Sequence, residues 1–158
     1  MIVLLSISSV ISLAYLCLSA VICKGIPVSL SATYYTLGRC GWLFQLTLFS
    51  IASCVYPVWW SVCSENVRFL PFIACGSLIL VSVSPAFKMK LEGVVHYMAA
   101  AICCSTVFLW QIVDKLWDVT LLFCWVALMI SLQTKEKWCW WLECAAIGSL
   151  MSNLWLLV

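Results

Sequence analysis

Six runs of about 20 apolar residues, each closed by charged or turn-forming residues, constrain this chain more than any other feature of its sequence. They occupy roughly 2–23, 42–63, 69–87, 94–113, 117–133 and 138–158. A segment that crosses a bilayer as a helix bonds all its backbone polar groups internally and needs about that length to span the hydrocarbon. Composition agrees: 66% of the residues are hydrophobic, 9% are charged and mean hydropathy is +1.15, whereas soluble domains are roughly half apolar and a quarter charged. The pattern predicts an all-α fold, a polytopic transmembrane bundle of about six helices forming a single domain over 1–158. The fifth run is the shortest, and the stems of Lys115 and Lys135 extend its reach.

The charge balance narrows the functional classes. Eight Lys and Arg against six Asp and Glu give a net charge of +2, with no basic block that would mark a nucleic-acid partner. His96 is the single histidine and there is no CxxC pair, so no metal centre and no cofactor is expected. The eleven cysteines fall mostly inside the apolar runs, Cys63 sitting near an end, and they read as small packing residues. Cys139 and Cys144 flank Glu143 but lack a second pair of metal ligands. The first run has no basic residue before it, and its length exceeds the roughly 7–15 apolar residues of a secretion signal, so it is expected to stay attached.

Basic residues set the orientation. Lys24, Arg39, Lys88, Lys90, Lys135 and Lys137 all fall in connections on one side, and Arg68 and Lys115 on the other. The six-residue side is therefore expected in the cytoplasm, with both termini outside. Tryptophans gather at the ends of the runs, where an amphipathic ring sits at the headgroup level: Trp42, Trp138, Trp140 and Trp141 at one face, and Trp59, Trp60, Trp110, Trp117 and Trp155 at the other. Small residues mark helix-packing seams. These are Ser8 and Ser12 in the first run, Ala99 to Ala101 with Cys103 and Cys104 in the fourth, and Cys144, Gly148 and Ser152 in the sixth. Their partner is either another helix of this chain or a second copy, which would make a homodimer.

The connection from Lys24 to Gly41 is too apolar for an ordinary solvated loop. Pro27 stops the first helix, Ser29 suits an N-cap, Leu30, Tyr34 and Leu37 repeat at helical spacing, and Gly38 suits a C-terminal stop, with Arg39 free to reach phosphates. This predicts a short interfacial helix between the first two spans.

Ionisable residues within a span are functional hypotheses because their insertion costs a few kcal/mol. Glu143 lies about 9 Å into the sixth run at 1.5 Å per residue. His96 lies just inside the fourth run, one turn beyond Glu92. Ser29, Ser31, Tyr34, Tyr35 and Arg39 of the first connection, Ser82 and Ser84 of the third run, and Lys88 belong to the same face. A pocket open to the cytoplasm with Glu143 and His96 as its titratable members is the functional reading. The structural alternative pairs Glu143 with Lys135, Lys137 or His96 to fix helix register. Gln45 and Asn153 are expected to form interhelical hydrogen bonds.

The segments S-L-S-A-T-Y-Y-T-L-G (29–38), P-A-F-K (85–88) and L-E-G-V-V-H-Y (91–97) resemble small six-helix bacterial membrane proteins related to the DRAM-like family. The resemblance covers about the first 110 residues, and it implies a six-helix bundle in a bacterial inner membrane with no established reaction. A more distant similarity is to ceramidase-like membrane hydrolases, whose site combines a serine, an aspartate and three zinc-binding histidines. One histidine cannot supply that zinc site.

The sequence thus favours binding over chemistry: a lipid headgroup or small amphiphile held in the cytoplasm-facing pocket, with Arg39, Lys88 and Lys90 drawing an anionic head. Three alternatives stay open. They are a proton-linked carrier using Glu143 and His96, a metal-independent membrane hydrolase or transferase, and a structural or assembly partner.

Overall fold

The computed structural model describes residues 1–86, 92–134 and 137–158. The described residues form seven α-helices: α1 (Ile2–Ile22), α2 (Ala32–Leu37), α3 (Trp42–Val62), α4 (Phe69–Val83), α5 (Glu92–Val113), α6 (Trp117–Gln133) and α7 (Trp138–Leu157). Short 3₁₀ turns at Gly38–Cys40, Glu65–Val67 and Ser84–Ala86 join some of them. The apolar runs are helices almost end to end, the prolines within them being Pro57 in α3, Pro71 in the first turn of α4 and Pro85 after its end. Pro71 sits where a helix has no amide partner to lose, and Pro57 removes one bond of a kind that buried helices replace locally. The third apolar run breaks earlier than its hydropathy predicts, at Val83, because Ser84 and Pro85 tighten the chain into a 3₁₀ turn.

Among the described residues, four helical stretches are long and apolar enough to cross a membrane: Ile2–Ile22, Trp42–Val62, Glu65–Val83 and Gly93–Val113. α6 is apolar but has only 17 residues. α7 has 20 residues, with Glu143, Ser149, Ser152 and Asn153 diluting its apolar character.

α3 packs between α1 and α4, α4 packs on α5, and α7 lies across α1, α3 and α5 with α6 on its outer side. The surface differs from that of a water-soluble domain, because large apolar side chains cover it while several polar ones lie inside the apolar core. Gln111 is fully buried and Asn153 nearly so, together with Ser8, Ser77, Thr120 and Ser149, while Val3 is 70% exposed, Leu121 62% and Trp125 59%. Buried polar groups meet one another: Gln111 Nε2 donates to Ser149 Oγ at 3.1 Å, and Asn153 Nδ2 donates to Thr120 Oγ1 at 3.2 Å. Apolar surfaces of this extent suit a hydrocarbon surround, where helices associate by close packing and by such interhelical bonds.

Residues of two small-residue seams meet other helices of this chain. Ser8 is buried against Met151 of α7. A Cβ on Gly148 would overlap the Phe123 ring of α6, so the absence of a side chain there sets how closely the last two helices approach. Ser12 is buried too, and its hydroxyl has no hydrogen-bond partner among the described residues.

Candidate functional site

The chain between α1 and α3 is held by its backbone. Ser29 Oγ accepts the Ala32 N–H at 3.1 Å and lies 3.0 Å from Ser31 Oγ, so the expected cap residue serves the first amide of α2 from two residues before the N-cap position, which Ser31 occupies. At the other end Gly38 turns at a φ of +53°, a left-handed conformation that glycine adopts without a Cβ clash. Between these stops Leu30 is buried and both of its main-chain groups are used. Its carbonyl accepts the hydroxyl of Thr33, which is itself reached by the Tyr15 hydroxyl of α1. Its N–H donates to Glu143 Oε2 of α7 at 2.7 Å. Two residues earlier, the Val28 carbonyl accepts the Trp140 N–H at 3.2 Å, which satisfies one of the amides left open in the first turn of α7. The first connection is thereby fastened to the first helix by Tyr15 and to the last helix at Trp140 and Glu143.

Below this fastening lies a slot of ≈ 100 Å³ among α3, α4, α5 and α7. Along α7 it runs from Glu143 to Met151, about 12 Å at 1.5 Å per residue. Its walls near Glu143 include Ala100, Cys104 and Phe44, and deeper in they include Ile51, Val107 and Leu150. Glu143 and Ser31 are its polar lining residues, and both belong to one end. The other end is closed by a packed layer in which Trp59 and Trp110 meet edge to face, their centroids 4.9 Å apart, together with Leu5, Val58 and Leu154. An apolar cavity of about 150 Å³ stays dry and takes a benzene-sized guest. This one is smaller and carries a carboxylate at its polar end. Among the described residues, Leu30 N–H is the hydrogen-bond donor to that carboxylate, and no Lys or Arg pairs with it.

The residues expected to share one pocket separate. Ser31 and Glu143 line the slot, and Ser29 supports Ser31. Tyr34 packs its ring on Phe44 and Tyr35 beside the same connection, and Arg39 is exposed at its far end. His96 is not a slot residue. Its Nδ1 lies 2.7 Å from Ser84 Oγ, which is also 3.0 Å from the Val81 carbonyl. Lys88, like Lys90 and Lys135, lies outside the described residues; Glu92 opens α5, and its side chain is also outside them. Ser82 is buried and bonded to its own helix at the Ile79 carbonyl. Gln45 is half-buried and forms no interhelical hydrogen bond among the described residues, whereas Asn153 does.

Three residues that sequence reasoning passed over complete the picture. Tyr15 and Thr33 hold the connection in place, and Gln111 ties α5 to α7. Gln111 had a readable signal, a carboxamide inside an apolar run. Thr33 is the buried position of α2, although Leu30, Tyr34 and Leu37 carry its hydropathy pattern.

The opposite end has a carboxylate of its own. Asp114, just past the end of α5, accepts the Ser64 hydroxyl at 2.5 Å, the Ser64 N–H at 3.3 Å and Trp110 Nε1 at 2.6 Å, which joins the α3–α4 connection to α5. All eleven cysteines are free thiols, and among the described residues no group of three His, Cys, Asp or Glu side chains is placed to hold a metal ion. No family model matches the chain, and neither does any curated protein or solved structure.

Proposed function

We propose that this chain is a six-span membrane protein that binds a lipid or other small amphiphile, the apolar chain lying in the slot and the polar end meeting Glu143 and Ser31. The observation that carries this reading is the slot itself: apolar along its length, polar at one end and closed at the other by the Trp59–Trp110 layer. A pocket with those features suits an elongated guest with one polar end. The closed end favours binding over passage of a solute through the bundle, so the carrier reading gains nothing from the arrangement.

In this reading α6 and α7 cross the bilayer with the four longer helices, and α2 lies at the interface, where exposed Tyr35 and Arg39 meet headgroups. The end bearing Glu143 faces the cytoplasm of a bacterial inner membrane, supported by the six basic residues of its connections against Arg68 and Lys115 at the other.

Native mass spectrometry of the protein released from lipid nanodiscs tests the binding claim. A retained amphiphile is expected on the wild type, and it should be lost when Ala146→Phe fills the slot. Equal retention by both proteins would overturn it. Reporter tags at the two termini test orientation, with an external location expected for both.

A further inference from the structure

The polar end of the slot also specifies the chemistry of the guest. Glu143 is a carboxylate with acceptor capacity for about four hydrogen bonds, and among the described residues one donor, Leu30 N–H, uses it. No cationic side chain accompanies it among the described residues. The ion pair found among them, Arg68–Glu65, belongs to the opposite end of the bundle. Beside it, Ser31 presents a hydroxyl whose neighbour Ser29 already accepts the Ala32 N–H. The site is therefore rich in acceptors and short of donors. A partly buried carboxylate without a cation is costly in an apolar setting, and a ligand that brings both a positive charge and several N–H groups relieves that cost directly. An ammonium has three donors and no acceptor, which matches Glu143 and Ser31 together. A neutral alcohol brings one donor, and a carboxylate or phosphate head would set like charge against Glu143. Shape adds a second requirement. A slot that runs about 12 Å along α7, walled by Ala100 and Cys104 near the head and by Leu150 and Met151 further in, suits an extended chain.

We propose that the guest is an unbranched aliphatic amine, its ammonium on Glu143 and Ser31 and its chain along the slot toward Met151. This rests on the amphiphile-binding reading above and narrows it, replacing the anionic head that Arg39, Lys88 and Lys90 suggest from sequence with a cationic one.

The test uses the full chain in nanodiscs of phosphatidylcholine at neutral pH and compares octylamine, 1-octanol and octanoate, three probes with one chain length and different heads. Binding is read by titration calorimetry, with Ala146→Phe and Ala100→Leu as slot-filled references that account for partition into the bilayer. Octylamine is expected to bind at least about ten-fold more tightly than octanol, with octanoate weakest. Glu143→Gln, whose side-chain carbonyl still accepts the Leu30 N–H, should erase the advantage of the amine over the alcohol while leaving octanol binding in place. Glu143→Asp should keep part of it. Octanoate binding as tightly as octylamine, or an amine preference that survives in Glu143→Gln, would overturn the amine assignment. Equal binding of all three probes would also overturn it yet leave the amphiphile pocket standing. Binding of none of them above the slot-filled references would remove both.

Discussion

The two ends of the bundle use the same device and differ in how completely they fill it. At one end Asp114 receives a backbone N–H from the α3–α4 connection, the hydroxyl of the same Ser64 and the indole N–H of Trp110. At the other end Glu143 receives a backbone N–H from the α1–α3 connection and no further donor among the described residues. Beneath Asp114 the tryptophans close the core, whereas beneath Glu143 the core opens into the slot. A carboxylate whose acceptor sites are taken by its own protein is a clasp. One with sites to spare, facing an apolar recess, is a place for something else. The difference lies in the neighbours, because the chemical group is the same.

The contrast breaks most easily at the saturated end. Asp114→Ala leaves three donors without their acceptor and is expected to lower stability by about 2 kcal/mol, since each orphaned group costs about 1–3 kcal/mol when buried and less when partly wet. Thermal unfolding in detergent measures it. Tyr15→Phe removes one hydroxyl from the fastening of the first connection and should cost about 1 kcal/mol, read in the same way. Ser64→Ala should cost about as much as Tyr15→Phe or less, because the Ser64 N–H still reaches Asp114. The smallest effect is expected for Glu143→Gln, within about 0.5 kcal/mol of wild type or slightly stabilising, because the amide keeps the bond to Leu30 and removes a charge from an apolar setting. If Glu143→Gln destabilised the protein as much as Asp114→Ala, Glu143 would be a clasp as well and the contrast between the ends would collapse.

Depth along the bundle was legible in the sequence, and position around it was not. Counting residues from the ends of the apolar runs put Glu143 level with the first connection and His96 level with Ser84, because a helix advances by a fixed rise, and each of these two pairs meets. Which of them would meet depends on which helices adjoin and on their rotation. α7 shows no clear hydrophobic face that would fix this from sequence, since in a lipid surround both the packed and the outer sides of a helix are apolar. So His96 pairs with Ser84 of the preceding turn, and Glu143 reaches across the bundle to the first connection. The partner there is a main-chain amide. Every residue except proline has one, so no side-chain pattern marks Leu30 as the donor. The stops of α2 were readable because Ser29 and Gly38 act through their own side-chain chemistry or its absence. Thr33 was hidden because a threonine on a short helix reads as surface until Tyr15 is known to lie above it.

The bond from Leu30 to Glu143 joins residues 113 positions apart, and the Val28–Trp140 bond beside it has a similar reach. A chain made from its N-terminus therefore displays the amide of Leu30 and the carbonyl of Val28 long before either acquires its mate. Until the final helix arrives, those two groups must find other partners. The early half of the protein is thus assembled with its seam unsewn, and the last helix to be made fastens it and completes the recess in the same event.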